Sequence, residues 1–357
     1  MATDPTPTNE HWMRRCLEIA RLGAGTTAPN PMVGALLVQG ERVLAEGWHE
    51  RAGGPHAEVR CLHAFGDGPV PADAVMYVNL EPCAHHGRTP PCADLLLARE
   101  VKHVVIGMRD PFPQVAGRGI ERLRNTGVEV TEDVLLEACR WAQRRFITSV
   151  ERNRPYIILK WATSADGFLD RHPRAGRGVQ RISAPATDVL VHRWRSEEAA
   201  ILVGSRTVVN DDPSLTVRHV EGRAPLRVVL DRGGLAPAQS KVFADGGHTV
   251  LFTATARLEL QIEQVMTAPS GDPLDGILAH LQERRIRSVL VEGGAELIGH
   301  FVQRGLWDEA RVIHGQVLFG NGTPAPVISG AARIVQMLGG DRIVLHRREA
   351  GHVAWDW

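Results

Sequence analysis

Apolar residues at Trp12, Cys16, Ile19 and Ala20 recur at helical spacing and predict a helix over residues 11–22. Two apolar runs, 33–38 and 43–47, flank Gln39-Gly40-Glu41 and predict a β-hairpin. Pro55 precedes a periodic set at Ala57, Cys61, Leu62 and Phe65, so a helix opens there with His56 and Glu58 in its first turn. Residues 75–80 then read as a strand, 93–99 as a helix, 101–107 as a strand, 120–127 as a helix and 128–130 as a short strand. Alternation of this kind predicts an α/β/α layered domain. A helix closes over 140–146, and the charged segment Glu151-Arg152-Asn153-Arg154-Pro155 reads as a connector. The pattern then restarts with a strand at 156–162, a helix ending at Arg193-Trp194-Arg195, and strands at 200–203, 227–231 and 288–291. The expected organisation is an α/β chain of two domains, 1–150 and 151–357.

Bulk numbers narrow the function classes. The 357 residues carry 41 basic and 41 acidic side chains, and 5% are aromatic. A nucleic-acid partner would ask for a basic groove and stacking platforms, so no nucleic-acid partner is expected. No window is long and apolar enough to span a membrane, and no membrane partner is expected. Residues 1–10 lack a basic start and an apolar core, so a cytoplasmic location is expected. The odd count of five cysteines does not suggest a disulfide framework, and Cys16, Cys61 and Cys139 read as core residues.

The chemistry concentrates in Pro55-His56-Ala57-Glu58 and in Glu81-Pro82-Cys83 through Pro91-Cys92. His56, Cys83 and Cys92 are candidate zinc ligands. Three protein ligands on a tetrahedral zinc leave a position for water, the catalytic rather than the structural arrangement. Glu58, two residues from His56, is the candidate catalytic residue that handles the water's proton. A Cys83–Cys92 disulfide, or a structural zinc completed by His85 or His86, are the competing readings. The His-x-Glu and Pro-Cys pattern is similar to that of zinc deaminases, whose second cysteine follows two residues on; here eight residues intervene.

The stretch Glu-Pro-Cys-Ala-His-His-Gly-Arg-Thr-Pro-Pro-Cys over 81–92 resembles the bifunctional riboflavin-biosynthesis deaminase–reductases. The resemblance extends over about residues 11–330. It implies a cytidine-deaminase-like domain followed by a dihydrofolate-reductase-like domain, with Zn2+ and NADPH as cofactors. It implies small-molecule phosphoribosyl pyrimidine substrates, deaminated first and reduced at the ribose second, and a homo-oligomer. Asn30, held between Pro29 and Pro31, would position the pyrimidine, and His85 or His86 would reach the phosphate or the ring. Phe112 stands where the family has Asn.

In the second domain the resembling blocks are 156–167, Gly204-Ser205-Arg206-Thr207-Val208, Asp211-Asp212-Pro213 and Glu292-Gly293-Gly294. Carried over position by position, Ala162, Thr207, Asp211 and Gly294 would contact the cofactor. Arg195, Leu215, Arg218 and Glu292 would contact the substrate. A glycine pair between strand and helix suits a phosphate, and forked arginine donors suit a ribose phosphate. Arg206 is a candidate grip on a 2′-phosphate. Lys160, Asp166 and water are open as the acid of the reduction. The family's Ser-x-Trp becomes Val179-Gln180-Arg181, which raises the alternative of a deaminase whose second domain binds without reducing.

Overall fold

The computed structural model describes residues 8–84, 90–113, 115–268 and 270–349, with the side chains of 333–335 left aside. These residues fall into two compact units that change over between Asn153 and Arg154.

The first unit runs α1 (Asn9–Ala20), β1 (Gly34–Gln39), β2 (Arg42–Trp48), α2 (Ala57–Phe65), β3 (Val75–Val78), α3 (Cys92–Ala98), β4 (His103–Ile106), α4 (Arg118–Asn125), β5 (Glu129–Thr131), α5 (Leu136–Ala142) and α6 (Arg144–Glu151). Among the described residues its strands form one sheet in the order β2-β1-β3-β4-β5, with β3, β4 and β5 parallel and the hairpin antiparallel. Strand alternation divides the core. Ala35 and Leu37 of β1 face Cys61, Leu62, Leu96 and Leu123 from α2, α3 and α4. Leu36 and Val38 face Met13, Cys16, Cys139 and Ile147 from α1, α5 and α6. The unit is therefore a three-layer α/β/α sandwich.

The second unit runs β6 (Tyr156–Thr163), α7 (Pro185–Glu197), β7 (Ala200–Gly204), α8 (Ser205–Asp211), β8 (Leu226–Leu230), α9 (Lys241–Ala244), β9 (Thr249–Thr253), β10 (Glu263–Met266), α10 (Pro273–Glu283), β11 (Ser288–Val291), α11 (Ala295–Gln303), β12 (Glu309–His314), β13 (Ala331–Leu338) and β14 (Asp341–Arg347). Its sheet order is β10-β9-β8-β7-β11-β6-β12-β14-β13 among the described residues. All neighbours from β10 to β12 are parallel, and the β13–β14 hairpin closes one side antiparallel. After β6 the chain winds out through β7 to β10, then returns to insert β11 between β7 and β6. That reversal makes a crevice at the carboxyl ends of β6, β7 and β11, where open α/β sheets bind ligands.

Several boundaries differ from expectation by a few residues, and two have a clear physical reason. The helix expected over 140–146 is two, α5 and α6, which break at Gln143, and α6 continues to Glu151 because the charges of 151–152 sit on a solvent face and do not stop a helix. Asn153 in the left-handed region (φ 50°) and Pro155 stop it. His56 is not in the first turn of α2 but is its N-cap, in extended backbone. No described helix is long and apolar enough to cross a membrane.

The α2 backbone lies directly on β2. A Cβ at Gly47 would stand 2.3 Å from Cys61 N and 2.6 Å from Ala57 O. Gly47→Ala should push away the first turn of α2, lowering stability by about 1–3 kcal/mol and reducing zinc retained per chain. Thermal denaturation and metal analysis check this; unchanged values in both would refute the contact.

Candidate active sites

His56 caps α2, so its ring stands clear of the helix while Glu58 enters the first turn and is 3% exposed. Cys83 follows β3, and Cys92 is the first residue of α3. Backbone hydrogen bonds tie the two cysteine segments: Ala93 N–H donates to Cys83 O at 3.1 Å, and Cys92 N–H to Cys83 Sγ at 3.4 Å. His56 Nδ1 lies 3.2 Å from Cys92 Sγ and 3.7 Å from Cys83 Sγ, and the three ligand atoms all fall within 4.8 Å of one another.

This donor set fits zinc. Bonds of about 2.0–2.3 Å to a tetrahedral ion give ligand–ligand edges of about 3.5–3.8 Å. The Cys83 thiol is pulled down to about 4, first by its hydrogen bond with Cys92, so a thiolate is favoured there. Cys92 is pushed up, first by the same hydrogen bond, and His56 is raised to about 9, first by its hydrogen bond with Cys83. All five cysteines are free, which removes the disulfide reading of Cys83 and Cys92. His85 and His86 lie outside the described residues. Burial raises the Glu58 carboxyl, an effect opposed by His56, and a raised carboxyl suits a group that both takes and gives a proton.

Residues that the sequence reading left without a role hold this centre in place. Glu81 is 3% exposed and accepts N–H bonds from Asp110 at 3.2 Å, Gly117 at 2.9 Å, Gly119 at 2.9 Å and Ile120 at 3.4 Å. One carboxylate thus fastens Asp110 and the start of α4 beside Pro82-Cys83. Asn30 is oriented through His49. The His49 Nδ1–H donates to Pro55 O at 2.9 Å, which leaves Nε2 to accept from Asn30 Nδ2 at 3.1 Å. Buried Asn79 accepts from Gly34 N–H at 2.8 Å and donates to Met32 O at 3.1 Å, fixing the same loop. Asp110 is raised to about 6, first by burial, and its carboxylate accepts from Phe112 N–H at 2.8 Å.

In the second unit, the crevice at β6, β7 and β11 collects most of the carried-over residues. Glu292 follows β11 and accepts from Arg195 Nε and Nη2, each at 2.8 Å. Lys160 of β6 stands 3.4 Å from the same carboxylate. Burial raises the Glu292 carboxyl, but Arg195 and Lys160 outweigh it and hold the group at about 2. Arg195 Nη1 also donates to Thr216 O at 3.3 Å. Its charge is thus shared with Glu292 rather than held free for a phosphate. Gly294 caps α11 and faces Thr207 of α8, whose Oγ1 is 3.9 Å from where a Cβ would be. Ala162 lies on β6, and Asp211 ends α8, paired with Arg174 at 2.8 Å.

Other assignments change in emphasis. Leu215 is 2% exposed and packs among Ile201, Val203 and Val229, so its side chain is core. Arg206 is exposed and pairs with Glu296 at 3.0 Å. Asp166 accepts from Ser164 Oγ at 2.7 Å and Gly320 N–H at 2.6 Å, and is held at about 2, first by Ser164. An ionised loop anchor of this kind does not donate a proton near neutral pH. Val179 is 73% exposed, and Arg181 pairs with Asp188 at 2.8 Å.

His192 of α7 was missed because one histidine on a helix carries no signal. It is 4% exposed, and its Nδ1 accepts Arg218 N–H at 2.9 Å, so α7 holds the 216–218 segment through both His192 and Arg195. Burial first, then Arg195, lowers the ring from 6.5 to about 4. A histidine with a depressed value contributes stability above 6.5 that is lost as pH falls towards 4. His192→Asn keeps an acceptor and removes the titration. Between these pH values the wild type should lose on the order of 5 °C more in thermal midpoint than the variant. Parallel curves would refute the assignment.

Comparison with known proteins gives one answer for both units. A family model for the cytidine and deoxycytidylate deaminase zinc-binding region matches residues 6–108, and one for the RibD C-terminal domain matches 155–338. The chain is 36% identical over 321 residues to the riboflavin biosynthesis protein RibD of Aquifex aeolicus (strain VF5), covering 88% of each. It is also 36% identical over 332 residues to RibD of Escherichia coli (strain K12), covering 88% of this chain and 89% of that one. Among solved structures, the diaminohydroxyphosphoribosylaminopyrimidine deaminase/5-amino-6-(5-phosphoribosylamino)uracil reductase of Thermotoga maritima superposes with a TM-score of 0.84 at 35% identity, covering 95% of this chain and 98% of that one. Zinc serves the deaminase region and NADPH the reductase domain. With both domain models matched in order and relatives of this identity spanning most of its length, the chain belongs to the RibD family of bifunctional deaminase–reductases of riboflavin biosynthesis.

Proposed function

We propose that residues 1–150 deaminate 2,5-diamino-6-(5-phosphoribosylamino)pyrimidin-4(3H)-one and that residues 151–357 reduce the resulting 5-amino-6-(5-phosphoribosylamino)uracil. The observation that carries the first step is the three-ligand cluster of His56, Cys83 and Cys92 with the buried carboxyl of Glu58 beside it. Zinc, when bound, supplies Lewis acidity at the open fourth position. Glu58 takes one proton of the attacking water and delivers it to the ring nitrogen, then passes the second, from the hydroxyl of the adduct, to the amino group, which departs as ammonia. Asn30, fixed through His49, presents its amide to the pyrimidine.

For the second step, NADPH, when bound, would supply hydride chemistry for reduction at C1 of the opened ribose. Gly294 and Thr207 lie together at the start of α11, where backbone N–H groups receive a phosphate, and Ala162 and Asp211 complete the cofactor side. Glu292, Arg195 and Arg218 orient the substrate, with Leu215 contributing backbone. Asp166 is occupied as an anchor, so Lys160, held beside Glu292, gives the proton to the carbonyl oxygen. The five free thiols fit a reducing compartment, and we place the enzyme in the cytoplasm.

Exposed Met337 on the edge strand β13, with exposed Leu318 and Val327 in the segment between β12 and β13, supports a homo-oligomer. Light scattering that returns the mass of one chain would refute that part. Glu58→Gln should lower ammonia release by at least roughly 10²-fold while zinc content stays at wild type. Loss of the metal would make Glu58 a ligand and overturn its role. In the wild type, NADPH oxidation should follow only after ammonia release from the diaminopyrimidine. Ammonia without any NADPH oxidation would remove the reduction assigned to the second unit.

A further inference from the structure

Arg227 is a cation inside an apolar element. It lies on β8, a strand with a parallel neighbour on each side, and is 3% exposed. A strand buried on both faces is expected to be apolar, and the rest of β8 (Leu226, Val228, Val229 and Leu230) is. Alternation puts Arg227 on the face of Val229, which packs with Leu215. There one nitrogen, Nη1, donates to Asp245 Oδ2 at 2.7 Å and to Ser214 O at 3.1 Å. The other, Nη2, is buried without a partner among the described residues. A buried ion pair with an unsatisfied donor adds little net stability, so stability alone does not account for this arginine.

The turn that Arg227 holds is strained. Asp212 and Leu215 both sit in the left-handed region, at φ 47° and φ 54°. Residues other than glycine stay there only where the surroundings over-determine the backbone. The surroundings do so here. The Asp212 carboxylate accepts Lys241 N–H at 3.0 Å, and the Leu215 side chain is fixed in the core. Arg195 donates to Thr216 O at 3.3 Å, and His192 accepts Arg218 N–H at 2.9 Å. Those contacts grip the two ends of the turn. Arg227 grips its middle, at Ser214, between the two strained residues. Gly247 leaves room for it, since a Cβ there would stand 2.4 Å from Arg227 Nη2.

We propose that Arg227 is a positioning residue of the reduction: it holds the 212–218 turn in its strained form and so sets where Arg218 meets the substrate. This rests on the reading of Arg218 as a substrate contact. Arg227 acts through Ser214 and the turn, not by touching the substrate.

Steady-state NADPH oxidation by the full chain with 5-amino-6-(5-phosphoribosylamino)uracil tests this. Arg227→Met should raise the KM for the uracil roughly tenfold or more, with kcat within about threefold and the KM for NADPH unchanged. Gly247→Ala pushes the guanidinium aside without removing its charge. It should raise the same KM by about threefold or more, and it decides the matter if Arg227→Met does not fold. Leu281→Ala, a core truncation in α10 of the same unit, should lower the thermal midpoint and leave both KM values at wild type. Because Arg227 acts through Arg218, adding Arg227→Met to Arg218→Gln should raise the KM by no more than about threefold further. The positioning role alone is overturned by an unchanged KM in Arg227→Met or, failing that, in Gly247→Ala. An equal rise for uracil and NADPH, a rise of the same size in Leu281→Ala, or full additivity with Arg218→Gln overturns it too. An Arg218→Gln chain that keeps the wild-type KM overturns the substrate reading of Arg218 and the positioning role with it.

Discussion

Three ligand atoms from separate parts of the chain must meet within a few ångströms, and the first unit is built to satisfy that constraint. His56 arrives on extended backbone at the start of α2, Cys83 beyond the end of β3, and Cys92 at the start of α3. None of these positions is independent of the packing behind it. Cys61 and Leu62 seat α2 on the sheet, Ala93 and Leu96 seat α3, and Gly47 lets α2 approach β2. Cys83 accepts from the Cys92 N–H, so the sulfurs are held by backbone as well as by side-chain packing.

The same device recurs in both units: a buried carboxylate organises a loop or a cation beside the chemistry. Glu81 gathers four backbone N–H groups in the deaminase unit. Glu292 gathers Arg195 and Lys160 in the reductase unit. Buried charge is costly unless fully partnered, and each partner is thereby constrained in position. Glu58 differs, because burial raises it and, among the described residues, no cation pair of the Glu292 kind is formed with it. That contrast separates a carboxyl kept for proton transfer from carboxylates kept for placement.

Much of the fold was legible where one physical signal acted alone. The apolar run of 156–162 lies on β6, buried on both faces by the packing of Ile157 and Leu159 on one side and Ile158 on the other. The α2 helix was legible from Pro55 and its apolar spacing, but spacing marks a face, not a cap, and so misplaced His56. β12 was not legible, because Glu309 and Arg311 are buried there as an ion pair at 2.7 Å and break the apolar pattern that a central strand is expected to show. The β13–β14 hairpin was missed because much of β13 is exposed and its sequence does not alternate cleanly. In the candidate sites, residue type exposed the ligand set and the prolines around Asn30. Partners distant in sequence stayed hidden: His49 for Asn30, Glu292 for Arg195, His192 for the Arg218 segment.

The central claim is that three protein groups hold zinc and leave one position open for the reaction. Zinc-edge X-ray absorption on the metal-loaded chain tests it most directly. The account predicts two sulfur neighbours at about 2.3 Å, one imidazole nitrogen at about 2.0–2.1 Å and one further light atom, displaced by an added competing anion. Four protein ligands, seen as a second imidazole and a shell that no added anion alters, would make the site structural and contradict the account.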